Sequence, residues 1–329
     1  MRKALALLAL ALPALAQEVT VYPGFAEVKE AVVLPPSAWV YLAGEKLARI
    51  PPGSLRLLGV EEEERVYQGT AVLFRYRGEG KATLRYLYTG LSGEVFYTLE
   101  EGRLTAWARL RLEGEALEAQ RLTLVSGAVS LEAQPAPGVA LRALAEAPQG
   151  SPFGLFRYEL PPRRLLPGTT ELPFQKAEVR PERLLRLAGP FRTDRFLPLE
   201  RGYRFQAPFP LAPGPLEAVE GGLFLGQASL PPTPRGEVAE VWLGQDLEAR
   251  LLRSVRLLSQ TDKEATYQVE TRLENPYPYP VTLLLSETFP QPFRLDLPGA
   301  TLLPQGYRLE LGLKAKEART LTYRLTLPR

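Results

Sequence analysis

Apolar and polar residues alternate with a period of two along most of the chain. In Arg103–Leu112 the even positions are Leu104, Ala106, Ala108, Leu110 and Leu112, and the odd ones are Arg103, Thr105, Trp107, Arg109 and Arg111. That spacing predicts a half-buried strand. Lys81–Tyr88 repeats it with Ala82, Leu84, Tyr86 and Tyr88 on one face, and Leu247–Leu257 with Leu247, Ala249, Leu251, Val255 and Leu257. The pattern of Leu247–Leu258 also suits a helix, but its β-type neighbours favour a strand. Gly78-Glu79-Gly80, Glu100-Glu101-Gly102 and Glu220-Gly221-Gly222 each separate two alternating runs. Glycine there supplies the positive φ that tight hairpin turns demand. Strands at about ten-residue spacing, punctuated by Gly and Pro, predict an all-β chain of the sandwich or barrel kind.

Two proline-rich stretches organise these strands. Gln134–Pro152 is rich in Ala, Pro and Gly and predicts a long exposed loop. Ala207–Pro215 precedes a fresh run of strands. The expected architecture is a tandem β-sandwich of immunoglobulin-like domains, one over residues 17–198 interrupted by the loop at about 134–152, the other over 199–329.

The first sixteen residues read differently. Arg2 and Lys3 precede a short apolar run, Ala4–Leu12, broken by Pro13, and Ala14-Leu15-Ala16 supplies a small-x-small cleavage pattern. This predicts a signal peptide over residues 1–16 and a mature chain beginning at Gln17. The run falls short of the roughly 20 residues that span a bilayer, and no later segment is apolar enough to do so. The expected location is outside the cytoplasm, in the periplasm or at the cell surface.

Composition narrows the chemistry. Beyond Met1 the chain has no Met, and it has no His and no Cys at all. These absences remove the neutral-pH proton shuttle, the thiol nucleophile and the soft metal ligands. The formal charge of +3 includes Arg2 and Lys3, so the mature chain is near neutral and lacks the basic footprint of a nucleic-acid binder. The 32 prolines, with Asn at position 275 alone, point to a thermophilic source.

What chemistry remains is sparse. Ser92, in Gly90-Leu91-Ser92-Gly93, resembles a nucleophile elbow but lacks its second glycine spacing and a following helix, and reads as a turn serine. The acidic run Glu61–Glu64 reads as a solvated loop. Asp194, Asp246, Asp262 and Asp296 form no calcium-loop pattern. No catalytic, cofactor-binding or metal-ligating residue is therefore assigned. The aromatic and proline-rich segments at 275–280 and 289–293 make Tyr277, Tyr279, Phe289 and Phe293 candidates for a rigid contact surface for sugar or peptide. The alternative is that these rings cap the end of the second domain, with proline shielding an edge strand.

Several segments also resemble a known family. They are Val19–Glu30 (VTVYPGFAEVKE), Tyr86–Ser92 (YLYTGLS), Leu122–Val129 (LTLVSGAV), Phe156–Pro161 (FRYELP), Gly222–Glu237 (GLFLGQASLPPTPRGE), Trp242–Asp246 (WLGQD) and Glu274–Val281 (ENPYPYPV). In this order they are similar to the secreted domain of unknown function family 4139, found in mucoidy inhibitor A-like proteins. The chain departs from that pattern at Gly93, where the family often has Trp, and near Leu112–Glu115, where its usual Asn is missing. The resemblance implies tandem β-sandwiches and an envelope location, and it brings no catalytic residues.

Three functions follow as expectations. The first is a non-enzymatic secreted or cell-envelope protein that binds an envelope protein or polysaccharide, or self-associates into an assembly. The second is a carbohydrate-active enzyme using two carboxylates about 5 to 10 Å apart, one with a raised pKa. The third is an edge-strand module that takes up a peptide by strand addition.

Overall fold

A computed structural model describes residues 17–127, 129, 154–290 and 292–328. Ala14 and Ala16 of the expected cleavage pattern, and the expected loop at 134–152, lie outside the described residues. Gln17, the expected first residue of the mature chain, is the first residue of the first strand. Among the described residues no helix is long and apolar enough to cross a membrane.

The described chain is all β, apart from one short 3-10 turn at Gly44–Arg49. Its strands begin with β1 (Gln17–Tyr22), β2 (Phe25–Leu34), β3 (Ala38–Leu42), β4 (Arg56–Leu58), β5 (Glu61–Gln68), β6 (Ala71–Arg77) and β7 (Gly80–Tyr88). There follow β8 (Leu91–Glu100), β9 (Arg103–Leu112), β10 (Leu117–Ser126), β11 (Phe156–Leu160), β12 (Arg163–Leu165) and β13 (Gly168–Glu178). Next come β14 (Glu182–Pro190), β15 (Phe196–Gln206), β16 (Gly214–Glu220), β17 (Leu223–Leu230) and β18 (Val238–Gln260). The chain closes with β19 (Glu264–Glu274), β20 (Val281–Thr288), β21 (Arg294–Asp296), β22 (Thr301–Leu303), β23 (Gly306–Leu313) and β24 (Ala318–Pro328).

These strands fall into two compact units. Of the described residues, the first takes in those up to Tyr97, those within Thr105–Lys176 and Ala212–Gly214, and the second holds Thr98–Leu104, Ala177–Leu211 and those from Pro215 onward. The sequence-based boundary near Pro198 is thus displaced: Pro198 lies inside β15, a central strand of the second unit. Proline is tolerated there because β15 and β18 slip register between Leu197 and Leu199, leaving no ladder bond for it to donate.

In the first unit, a seven-stranded sheet runs β11-β10-β1-β2-β7-β4 with β12 also on β10, and a three-stranded sheet runs β3-β6-β5. The alternation read from sequence holds: Ala82, Leu84, Tyr86 and Tyr88 are buried, as are Leu104, Ala106, Ala108, Leu110 and Leu112. Gly93 packs so tightly in this core that a Cβ would stand 2.8 Å from the side chains of Leu124 and Val21. No Trp fits there. Gly90 is equally constrained, since a Cβ would meet the Tyr88 ring at 2.5 Å, and the Tyr88 hydroxyl donates to the Glu113 carbonyl at 2.7 Å.

The acidic run is a correction. Glu61–Glu64 begins edge strand β5 instead of forming a loop, with Glu64 paired to Arg75 at 2.9 Å and Glu63 to Arg77 at 2.5 Å. Cross-strand arginines on β6 neutralise what would otherwise be a repelling run. The Gly78–Gly80 turn also differs from expectation. It leads from β6 of one sheet into β7 of the other, whereas the Glu101-Gly102 and Gly221-Gly222 turns, all with positive φ, close two-residue hairpins.

The second unit holds a nine-stranded sheet, ordered β21-β24-β19-β18-β15-β14-β20-β23-β22, in which β14 and β20 are parallel. One core joins Leu185, Leu199, Leu251, Val269, Leu285 and Leu325 with others from the same strands. Burying each such leucine contributes about 1.5–3 kcal/mol. Leu247 breaks the expected pattern at 82% exposure, because β18 bulges after Asp246. Asp246 fixes that bulge, its Oδ1 accepting from the backbone N–H groups of Glu248 at 2.9 Å and Ala249 at 2.7 Å. Beyond the bulge, Ala249, Leu251 and the buried Arg253 share the inward face.

Candidate functional site

The segment between β19 and β20 is rich in proline and so short of backbone donors. Asn275, the chain's lone asparagine, pins it: the Nδ2 group donates to the carbonyls of Tyr279 at 2.9 Å and Lys314 at 2.8 Å, and Oδ1 accepts the Tyr277 N–H at 3.0 Å. These bonds hold Tyr277–Tyr279 in a bend. The rings of Tyr277 and Tyr279 accordingly stack, with centroids 5.2 Å apart and planes 4° from parallel.

Other strands of the second unit close a cleft of about 430 Å³ around this pair. From β14, the Arg183 guanidinium sits 4.1 Å from the Tyr279 ring centroid and pairs with Glu220 at the end of β16. From β15, the buried Tyr203 donates its hydroxyl to Glu220. The Tyr277 hydroxyl donates to Asp246 Oδ2 at 2.6 Å, so the bulge of β18 orients that ring. Leu225 and Leu243 give the cleft an apolar side, and Leu223 stands at it 69% exposed.

The electrostatics favour fixed, already ionised groups. Desolvation raises the Glu220 carboxyl, but hydrogen bonds from Arg183 and Tyr203 overcome it and hold the group below the usual carboxylate range. Burial, reinforced by Glu220, pushes the Tyr203 phenol well above its ordinary value. Burial, then the hydrogen bond to Asp246, does the same for Tyr277. A glycosidase general acid needs a raised carboxyl, and Glu220 is moved the other way. Neutral phenols, stacked rings and a charge pair instead suit hydrogen bonding and stacking with a polar ligand.

The four aromatic candidates separate. Tyr277 and Tyr279 come together in the cleft. Phe289 does not belong to a surface: it is 6% exposed and packs against Phe191 at 5.3 Å, Phe293 at 4.9 Å and Tyr307 at 5.8 Å. Phe293 is half-buried on the same core, against which Tyr277 and Tyr279 also pack. The site residues that sequence reading missed are Arg183, Tyr203 and Glu220. They lie on three strands far apart in the chain and carry no local signal. Asp246 does close one of the quoted segments, Trp242–Asp246, and its weight comes from the bulge it caps.

Elsewhere, a concavity of about 510 Å³ on the seven-stranded sheet is lined by charges already matched to one another, Glu18 with Arg121 and Arg157 with Glu159 among them. Ser92 is the second residue of β8, with strand rather than helix after it. Among the described residues no three acidic side chains gather as a metal site would require. No protein-family model matches the chain, and no curated protein matches it in sequence.

Proposed function

We propose that this chain is an exported, non-enzymatic binding protein of the cell envelope, and that the Tyr277–Tyr279 cleft recognises a segment of envelope polysaccharide. The observation that carries this reading is the preorganised stack, two parallel tyrosines with Arg183 beside Tyr279, set among hydrogen-bonding groups on rigid strands. Sugars present apolar C–H faces and rings of hydroxyls, which such a surface meets with stacking and with donors and acceptors fixed in advance. Export rests on the signal-like first sixteen residues. Tandem immunoglobulin-like domains and membership of the secreted domain of unknown function family are part of the proposal, resting on the strand pattern and the quoted segments.

The test is titration of the mature chain with soluble fragments of cell-wall and outer-surface polysaccharide, followed by calorimetry. Saturable binding is expected with one fragment class, weakened roughly 3- to 10-fold by Tyr279→Ala on the loss of one aromatic contact. Release of reducing ends during the titration would instead identify a carbohydrate-active enzyme. Binding that ignores Tyr279→Ala would place recognition elsewhere.

A further inference from the structure

The three-stranded sheet of the first unit has two unlike edges. Strand β5 begins with four glutamates, and such a charged edge repels a second strand. At the other edge, β3 reads Ala38-Trp39-Val40-Tyr41-Leu42 and carries no charge.

The direction of its backbone groups follows from the register. Ser37 accepts from the Tyr76 N–H at 3.1 Å, and Ala43 donates to the Thr70 carbonyl at 3.0 Å. Partners alternate along an antiparallel ladder, so Trp39 and Tyr41 also bond β6, while the amides of Ala38, Val40 and Leu42 point away from it. The Ala38 N–H turns back to Pro36 at 2.9 Å. Among the described residues no backbone partner meets Val40 or Leu42. Their side chains lie on the solvent face, 38% and 65% exposed. Val40, Leu73 and Val66 stand in register across the three strands, so an apolar row runs across that face from the open edge.

We propose that a second copy of this chain occupies the edge, with β3 pairing antiparallel to β3 about a twofold axis at Val40. The strand suits its own copy. Val40 faces Val40, small Ala38 faces the larger Leu42, and no like charges meet. The ion pair in the neighbouring row, Arg75 with Glu64 beside Ala38, is already matched internally. Pairing satisfies both backbone groups of Val40 and joins the two apolar rows. Two five-residue edges bury less than the roughly 1,200 Å² of a stable interface, so the dimer forms reversibly as concentration rises.

Cysteine cross-linking tests this cleanly, because the chain has no cysteine of its own. In the twofold arrangement the two Val40 Cα atoms lie about 5.5 Å apart, within the range a disulfide bridges. Mature chain carrying Val40→Cys should therefore form a covalent dimer under mild oxidation at least tenfold faster than Gln68→Cys, an exposed control on β5. Sedimentation of the native chain from micromolar to millimolar concentration should show a dimer that Val40→Lys abolishes while the circular dichroism spectrum is kept. A native chain that stays monomeric throughout, equal cross-linking of the two variants, or a dimer that survives Val40→Lys would each overturn the proposal. Protection of the Val40 and Leu42 amides by an added uncharged peptide, with no self-association, would assign the edge to a foreign strand instead.

Discussion

Replacing Glu287 by alanine should be among the most damaging single changes to the second unit that leave the cleft residues untouched. Glu287 and Arg253 are 2% and 0% exposed, and they form two parallel hydrogen bonds of 2.8 and 2.7 Å. Arg253 also donates to the Arg192 carbonyl at 2.8 Å and lies 4.6 Å from the Phe191 ring centroid, while Tyr307 donates to Glu287 at 2.8 Å. Glu287→Ala leaves the guanidinium buried without a counter-charge and the Tyr307 hydroxyl without its acceptor. Breaking such a pair costs about 3–5 kcal/mol. With a urea dependence of about 2–3 kcal/mol per M, the unfolding midpoint should fall by roughly 1–2.5 M. With Trp39 and Trp107 replaced by Phe, Trp242 fluorescence follows the second unit, and far-ultraviolet circular dichroism follows the whole chain. The paired replacement Arg253→Met with Glu287→Leu removes both charges and should recover most of the loss, since a buried pair is often no better than apolar side chains of similar volume. A midpoint shift below about 0.5 M for Glu287→Ala, or a double variant as unstable as the single, would refute this reasoning.

Other outcomes follow from the same structure. Phe289→Ala should destabilise the second unit by about 3–5 kcal/mol in urea titrations, as removal of a core ring does, yet leave polysaccharide affinity unchanged where the chain is folded. Gly306→Ala should lower the midpoint by more than about 1 M, because a Cβ there would stand 1.9 Å from the Glu287 carbonyl oxygen, a backbone atom that cannot swing aside. Glu220 has a depressed pKa in the folded chain, so its contribution is present above the unfolded value of about 4.3 and is lost as pH falls through the lower folded one. Denaturation midpoints measured down an acid series should thus fall less steeply for Glu220→Gln than for the native chain. Intact mass and N-terminal sequencing of exported protein should find Gln17 first.

The strands were legible in the sequence because side-chain direction along a strand depends only on the parity of the position. That rule places Leu104 to Leu112 and Ala82 to Tyr88 without reference to any partner. It fails at Leu247, where the bulge held by Asp246 shifts the parity, and at Leu257, 49% exposed beside a second register slip, and bulges depend on pairing between distant strands. The same limit explains why Pro198 looked like a boundary, since only the register slip shows why proline is tolerated inside β15. In the cleft, Tyr277 and Tyr279 were legible because both lie in one short proline-rich segment. Arg183, Tyr203 and Glu220 were not, because each gains its role from a partner on another strand. Phe289 shared the proline-rich surroundings of the tyrosines, and only its burial separates it from them.

The most direct test of the proposed function is calorimetric titration of the mature chain with envelope polysaccharide fragments, run in parallel on Tyr279→Ala and on Val40→Lys. Saturable binding that Tyr279→Ala weakens roughly 3- to 10-fold, and that Val40→Lys leaves intact, is the predicted result. Absence of saturable binding to any fragment, or full affinity in folded Tyr279→Ala, would contradict it.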